Sequence, residues 1–321
     1  MEDFGIIVAC CEHDYFLAKG CCSSIRHFLG DVPICLIVDG TFSTIALEKT
    51  YGVRVINHQT VAHKVLKQRS FGWGLTKMIA FWESPWTNFL VLDADTMIWG
   101  NILKYANFQD FDAIIDNPRY EHTDAAINKY FFDIQGIETH FPNFNWRAHR
   151  ASYFCTGTFF AKRNLFSLYE YVEILDFTAS QPGVFKYGDM GLLNFMLFRA
   201  ADEGKIRLGH QQMQLLVPDF DQNDLRNRFA IGETGPVLQD NNEAVVIHWC
   251  GDKPMSFSSK VYVEPMTFSR RKFMRDESNK SGLAAEVVLK TEDFQRYLYM
   301  YKNKIRRKIG NLIERDSRGR V

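Results

Sequence analysis

Asn88-Phe-Leu-Val-Leu-Asp-Ala-Asp-Thr-Met-Ile-Trp-Gly100 is an apolar run broken by two aspartates with one residue between them. Phe89 to Leu92 is short, continuously apolar and rich in strand formers, which predicts a strand buried on both faces of a mostly parallel sheet. In extended chain, side chains two apart point the same way, so Asp93 and Asp95 can present both carboxylates at one side of the strand's carboxyl end. Open α/β sheets bind ligands there. Paired carboxylates repel each other and lose hydration, and a hard divalent cation, Mn²⁺ or Mg²⁺, offsets that cost and can in turn hold a diphosphate. A solvated turn after a core strand is the other reading of a bare Asp-x-Asp.

Upstream, Ile6 to Cys10 reads as a first strand, Glu12-His-Asp14 as a polar break, and Tyr15 to Phe28 as an amphipathic helix before a second strand from Pro33 to Asp39. Strand, helix and strand at this spacing form a βαβ unit with a right-handed crossover, hence a parallel sheet. The first strand is not followed by Gly-x-Gly-x-x-Gly, which argues against a dinucleotide-dependent dehydrogenase. Ser43 to Tyr51 reads as a helix, Val53 to Asn57 as a third strand, and Gly74 to Glu83 as a helix leading into the central strand. Arg69 and Lys77 flank that helix's start. Each is either a solvated surface cation or faces the cleft of the aspartates and neutralises phosphate, and we count both among the candidate donor contacts.

Downstream, Asp110 to Asp116 predicts a further strand. Residues 117–152 lack clean periodicity and carry Tyr120, Tyr130, Phe131, Phe132, Phe141, Phe144 and Trp146. Such rings either close a subdomain core or stack on sugar faces. Tyr153 to Ala161 reads as a strand interrupted by Gly157, and a glycine in a strand often marks a close approach by backbone or ligand. Leu165 to Leu175 has helical spacing. Gly188 to Asn194 opens another helix, where Asp189 is either a cap or a carboxylate aimed into the cleft. Ala244 to Pro254 is a late strand running into His248, a turn at Gly251, and Lys253 before a fixed proline. His248 taken alone reads as structural or as a ligand.

The 321 residues, 46% hydrophobic, suffice for a substantial core, and 38 basic against 38 acidic residues exclude a global nucleic-acid footprint. Seven cysteines, an odd number mostly in apolar surroundings and without Cys-x-x-Cys spacing, read as reduced thiols of a cytoplasmic protein. The acidic start and short apolar run are expected to form neither signal nor membrane span. Residues 1–265 are expected to form the main α/β domain and 266–321 a basic, largely helical extension. In that tail Arg270, Arg271, Lys272, Lys302, Lys304, Arg306, Arg307 and Lys308 interleave with apolar residues. It could lie peripherally on an anionic membrane or dock with its cations outward.

In order along the chain, several motifs resemble those of glycosyltransferase family 8, the group that includes glycogenin and lipooligosaccharide galactosyltransferases. They are Asp14-Tyr15 to Ser23-Ser24-Ile25, Leu75-Thr76-Lys77, Leu-Asp-Ala-Asp-Thr at 92–96, Phe154-Cys-Thr-Gly157, Gly188-Asp189 with Leu193-Asn194, and His248 to Pro254. The resemblance covers roughly residues 5 to 256. It implies a glycosyltransferase-A fold: a Rossmann-like, mixed but mainly parallel α/β sheet flanked by helices. It also implies a retaining, metal-dependent transfer of a hexose from a UDP-sugar to a carbohydrate or glycolipid. By the same resemblance Asp93, Asp95 and His248 would hold Mn²⁺, with Mg²⁺ the alternative, and Tyr15 would pack near the uracil beside Ala9 and Cys10. Ala94, Gly157 and Gly251 would approach the donor, Lys77 and Lys253 would bring charge to its phosphates, and Asp189 would face the sugar.

The chain departs from the family's pattern in three places. Cys155 stands where Asn is usual, Met190 where Gln is usual, and the stretch from His248 to Lys253 is one residue short, so the donor sugar and stereochemical course are not carried over. A sugar-nucleotide pyrophosphorylase shares a related sheet, but the Gly-rich basic loop it needs after the first strand is missing here. A non-catalytic nucleotide-sugar or carbohydrate-binding relative is the other alternative.

Overall fold

The computed structural model describes residues 3–72, 74–239 and 244–318, with side chains through 305. The apolar run at 89–92 lies at the middle of a seven-stranded sheet. In chain order the strands are β1 (Phe4–Cys11), β2 (Ile34–Asp39), β3 (Arg54–Ile56), β4 (Asn88–Asp93), β5 (Thr96–Ile98) and β6 (Ala113–Asp116). They continue with β7 (Thr158–Lys162), β8 (Leu208–Gln211), β9 (Gln214–Leu216), β10 (Ile231–Gly232), β11 (Gly235–Pro236) and β12 (Val246–His248). The large sheet runs β3-β2-β1-β4-β7-β6-β8, and a small one runs β5-β12-β9. β1 to β4 pair in parallel, as the βαβ spacing predicts, while β7 is antiparallel to both β4 and β6.

The helices are α1 (Tyr15–Leu29), α2 (Ile45–Tyr51), α3 (Lys64–Arg69), α4 (Ala80–Glu83), α5 (Asp124–Tyr130) and α6 (Ile134–His140). They continue with α7 (Leu168–Ser180), α8 (Asp189–Asp202), α9 (Gln222–Arg228), α10 (Glu264–Ser278) and α11 (Gly282–Arg318). Because side chains alternate along a strand, the buried runs feed two cores. Ile7, Phe89, Val91 and Phe159 pack with Phe81, Tyr171 and Phe195 from α4, α7 and α8. Ile6, Val8, Leu90 and Leu92 pack with Leu17 of α1, Met266 of α10 and the small sheet.

Two local expectations are corrected and one open reading is decided. The helix expected from Gly74 to Glu83 is a tight 3₁₀ turn, Leu75–Ile79, followed by α4; Gly74, at φ +81°, sets the turn's entry. The strand expected from Tyr153 begins only at Thr158, because a side chain ties down the preceding residues: Asn194 accepts from Phe154 N and donates to Phe154 O, both at 3.0 Å. The aromatic stretch 117–152 folds into α5, α6 and a 3₁₀ turn at Trp146–His149, with α5 and α6 capped by Thr123 and Asp133. Phe131, Phe132, Phe144 and Trp146 are buried there, so they form core, while Tyr120 and Tyr130 stay exposed.

α10 lies along α1, where Gly20 leaves room for Met266, and Arg270 sits over the Phe16 ring at 4.5 Å. Arg270, Arg271 and Lys272 are paired with Asp293, Glu286 and Asp276, while Lys302 and Lys304 are exposed. Arg306, Arg307 and Lys308 lie outside the described side chains. Among the described residues no helix is long and apolar enough to cross a membrane.

Candidate functional site

The turn joining β4 to β5 is held by neighbours from across the fold. Asp93 N donates to Gly157 O at 2.9 Å, Ala94 N to Ala9 O at 3.1 Å, and Trp249 N to Asp95 O at 3.1 Å. The Thr96 hydroxyl donates to Asp93 O at 2.7 Å. β12 runs antiparallel to β5 with His248 opposite Thr96. Ligand atoms of Asp93, Asp95 and His248 consequently lie within 4.8 Å of one another. Asp95 and His248 are buried, whereas the Asp93 side chain keeps 26% of its surface open.

Two lysines balance the carboxylates. Lys77, presented by the 3₁₀ turn, places Nζ 2.6 Å from Asp93 Oδ1 and 3.1 Å from Asp189 Oδ2, and donates to Thr156 O at 3.1 Å. Lys253 pairs with Asp95 Oδ2, and His248 Nε2 lies 3.6 Å from Asp95 Oδ1. Burial disfavours charge on all of these groups, but mutual attraction wins: Lys77 and Lys253 are held above the ordinary lysine range, and Lys253 with His248 holds Asp95 well below the carboxylate range. Asp189 shifts upward, because its burial and the nearby Asp93 charge outweigh Lys77.

His248 is locked in orientation. Its Nδ1 donates to Gln214 Oε1 at 3.0 Å, and Gln214 Nε2 in turn donates to Cys155 O at 2.7 Å, which fixes the amide's own sense. Gly157 meets the imidazole face, and a Cβ there would collide with the ring, so the expected close approach at this glycine is made by a side chain. Burial opposes charge on His248, yet the neighbouring Asp95 carboxylate holds its pKa above the ordinary imidazole value. A cation binding at Nε2 therefore displaces a proton.

Asp189 is the first residue of α8, directly after Gly188 at the N-cap. Tyr187 and Gly188 take positive φ, +50° and +62°, and turn the helix start toward the cluster. The carboxylate accepts from the Thr156 hydroxyl and pairs with Lys77, so the aspartate faces the cleft.

Of the remaining candidates, Ala9 and Cys10 lie near the end of β1, where Ala9 O accepts from Ala94 N of the turn. Tyr15 opens α1 with its hydroxyl donating to Thr44 O at 3.0 Å and its ring 5.2 Å from Phe42. Gly251, at φ +110°, turns the chain between His248 and Lys253. Arg69 ends α3 and is paired with Asp176 at 2.5 Å. Thr156 and Gln214 were missed in the sequence. Thr156 lies inside a quoted motif, whereas Gln214 sits in a three-residue strand with no local signal.

Two carboxylates and one imidazole nitrogen form the oxygen-rich donor set that Mn²⁺ or Mg²⁺ prefers, and their separation lets one ion touch all three.

No protein-family profile matches the chain, and no curated protein matches it in sequence. Solved structures do match. An active-site mutant of LgtC superposes with a TM-score of 0.52 at 12% identity, covering 89% of this chain and 99% of that one. The bifunctional glycosyltransferase WbbM gives 0.50 at 12%, covering 92% of this chain, which spans 52% of WbbM's length. GlyE of Streptococcus pneumoniae gives 0.50 at 15%, with 89% and 62% covered. At such identities the likeness is one of fold: the chain has the glycosyltransferase-A fold, as the order of its motifs implied.

Proposed function

We propose that the chain is a metal-dependent glycosyltransferase that moves a hexose from a UDP-sugar to a carbohydrate or glycolipid acceptor. The observation that carries this reading is the convergence of Asp93, Asp95 and His248 at the carboxyl end of β4, flanked by Lys77 and Lys253. LgtC, of like fold, is known in complex with donor and acceptor sugar analogues.

Cleaving the bond from the anomeric carbon to the diphosphate builds negative charge on the departing nucleotide and positive charge on the sugar. When bound, the cation offsets charge on the diphosphate. Lys77 and Lys253, already charged and held in place, add fixed positive potential without reorganising as the bond breaks. Asp189 is oriented by Thr156 and Lys77 to stabilise the cationic sugar, as carboxylates do in glycoside hydrolysis. Tyr15 and the end of β1 form the base side. Exposed Tyr130 and Tyr187, with ring centroids 6.1 Å apart, give the acceptor an aromatic face beside Asp189. Trp146, buried and bonded to Glu138, takes no part. The tail offers exposed Lys302 and Lys304 with Phe294, Tyr297 and Tyr301 to an anionic lipid surface.

The decisive experiment is UDP release from UDP-glucose, UDP-galactose and their N-acetyl forms, with and without Mn²⁺, using water as acceptor. Metal-dependent release from one donor, lost in Asp95→Asn, is expected. Release without metal, or neither cleavage nor Mn²⁺-dependent UDP binding, rejects the reading.

A further inference from the structure

Beside the same imidazole lie two thiols. Cys155 and Cys250 are unpaired and half-buried, and their sulfurs lie within 4.8 Å of each other and of a His248 ring nitrogen. Cys155 Sγ is 3.8 Å from Nδ1, while Asp95 faces Nε2. Gln214 Oε1 lies 3.0 Å from Nδ1. Zinc holds sulfur at about 2.3 Å and nitrogen or oxygen at about 2.0–2.2 Å, so its tetrahedral ligands stand roughly 3.3–3.7 Å apart. The separations of Nδ1 from Cys155 Sγ and Gln214 Oε1, 3.8 and 3.0 Å, bracket that range, and Cys250 Sγ lies within 4.8 Å of the other two ligand atoms. The ring is clamped by Gly157 on its face, and the Cys155 backbone is held by the Gln214 amide, so the donors need little ordering.

We propose that Cys155, Cys250 and His248 Nδ1 form a site for a thiophilic divalent ion, zinc above all, with Gln214 Oε1 at the fourth corner. Binding releases the two thiol protons and the Nδ1 proton to solvent, and no electron is transferred. Soft sulfur selects zinc over Mn²⁺, so this site and the carboxylate cluster differ in ion though they share one ring. The site stands whether or not the carboxylate cluster serves glycosyl transfer.

The test uses chelator-stripped, phosphine-reduced full-length protein titrated with Co²⁺ under anaerobic conditions, then with Zn²⁺. A thiolate-to-cobalt charge-transfer band with the visible bands of tetrahedral cobalt, bleached by one zinc per chain, is expected. Cys155→Ser and Cys250→Ser should each weaken zinc binding roughly a hundred-fold, the share of one ligand in such sites. Asp93→Asn should leave the band intact. Independently of any variant, zinc should protect Cys155 and Cys250, but not the half-buried Cys11, from alkylation mapped by peptide mass spectrometry. Absence of the thiolate band, its survival in both serine variants, or unprotected Cys155 and Cys250 overturns the assignment.

Discussion

Two networks of charge are buried in this chain, and they are built differently. Between α10 and α11, Arg270 Nη1 meets Asp293 at 2.6 Å and Nη2 meets Glu292 at 2.9 Å, while Asp293 also accepts from Ser256 N at 2.7 Å. Arg270 is 1% exposed and Asp293 not at all, so the centre of this network is closed. At the end of β4, Lys77 is shared by two aspartates, Asp95 by Lys253 and His248, and Asp93 keeps an edge open to solvent. Burial of charge is common to both and so marks neither as functional. Sharing of partners is common to both as well, since Glu292 meets Lys19 of α1 besides Arg270; the wider opening of the Asp93 carboxylate, 26% against 16% for Glu292, is what lets one network accept a ligand, whereas the other fastens α10 and α11 to α1.

The comparison is tested hardest by Arg270→Ala. Removing the guanidinium leaves the buried Asp293 carboxylate without a cation, a loss of about 3–5 kcal/mol that urea titration should read directly. Asp93→Asn, at the open edge and with Asp189 left to Lys77, should change stability by less than about 1 kcal/mol. Equal losses for the two variants would erase the distinction between clamp and site.

Asp116 sharpens the boundary between them, because it is buried without a cation. Its Oδ1 accepts from Met213 N at 2.8 Å and Gln214 N at 2.9 Å, yet burial dominates and raises its pKa from 3.8 to about 6. The native state then binds the proton more tightly than the unfolded chain. Stability is fullest below the unfolded value and falls as pH rises from about 4 to about 6, by up to ~3 kcal/mol. Asp116→Asn retains an acceptor for both amides and should flatten that slope. A slope unchanged in the variant would assign it to another group.

A smaller effect is expected at the side chain that orients His248. Gln214→Leu removes the acceptor that holds His248 Nδ1 and should weaken Mn²⁺ binding ten- to a hundred-fold, with UDP present, by electron paramagnetic resonance. Unaltered affinity would mean that Gly157 alone fixes the ring.

These tests also show what the sequence could carry. The run at 89–92 is apolar at every position because β1 and β7 flank it and helices cover both faces, so the central strand, the parallel half and the Asp-x-Asp turn were legible from pattern alone. The antiparallel entry of β7 was not, since no periodicity records strand direction. Nor could spacing reveal that Tyr153 to Gly157 leaves the sheet, because its partner is a single asparagine 40 residues away. His248 was legible as a candidate ligand only through the order of motifs. Gln214, which orients it, was hidden because a buried amide in a three-residue strand looks like any surface polar residue. Arg270 read as one cation of a basic tail because its acids, Glu292 and Asp293, lie on the following helix and not at neighbouring positions.

The tail gives the weakest effect and sets the outer limit of the comparison. Its inner cations are paired within the fold, so only exposed residues such as Lys302 and Lys304 remain to meet anionic lipid, each contributing about 1 kcal/mol near a charged surface. Lys302→Glu should therefore lower partitioning onto phosphatidylserine vesicles at low salt by roughly five-fold or more, an effect that fades once screening shortens to a few ångströms. Arg271→Ala, whose guanidinium is bound to Glu286 at 2.5 Å, should leave partitioning nearly unchanged. Equal losses from both would mean that the paired cations of α10 are as available to a surface as the free ones of α11. The rule drawn from the buried networks, that a closed pair is a fastener, would then stop at the protein's surface.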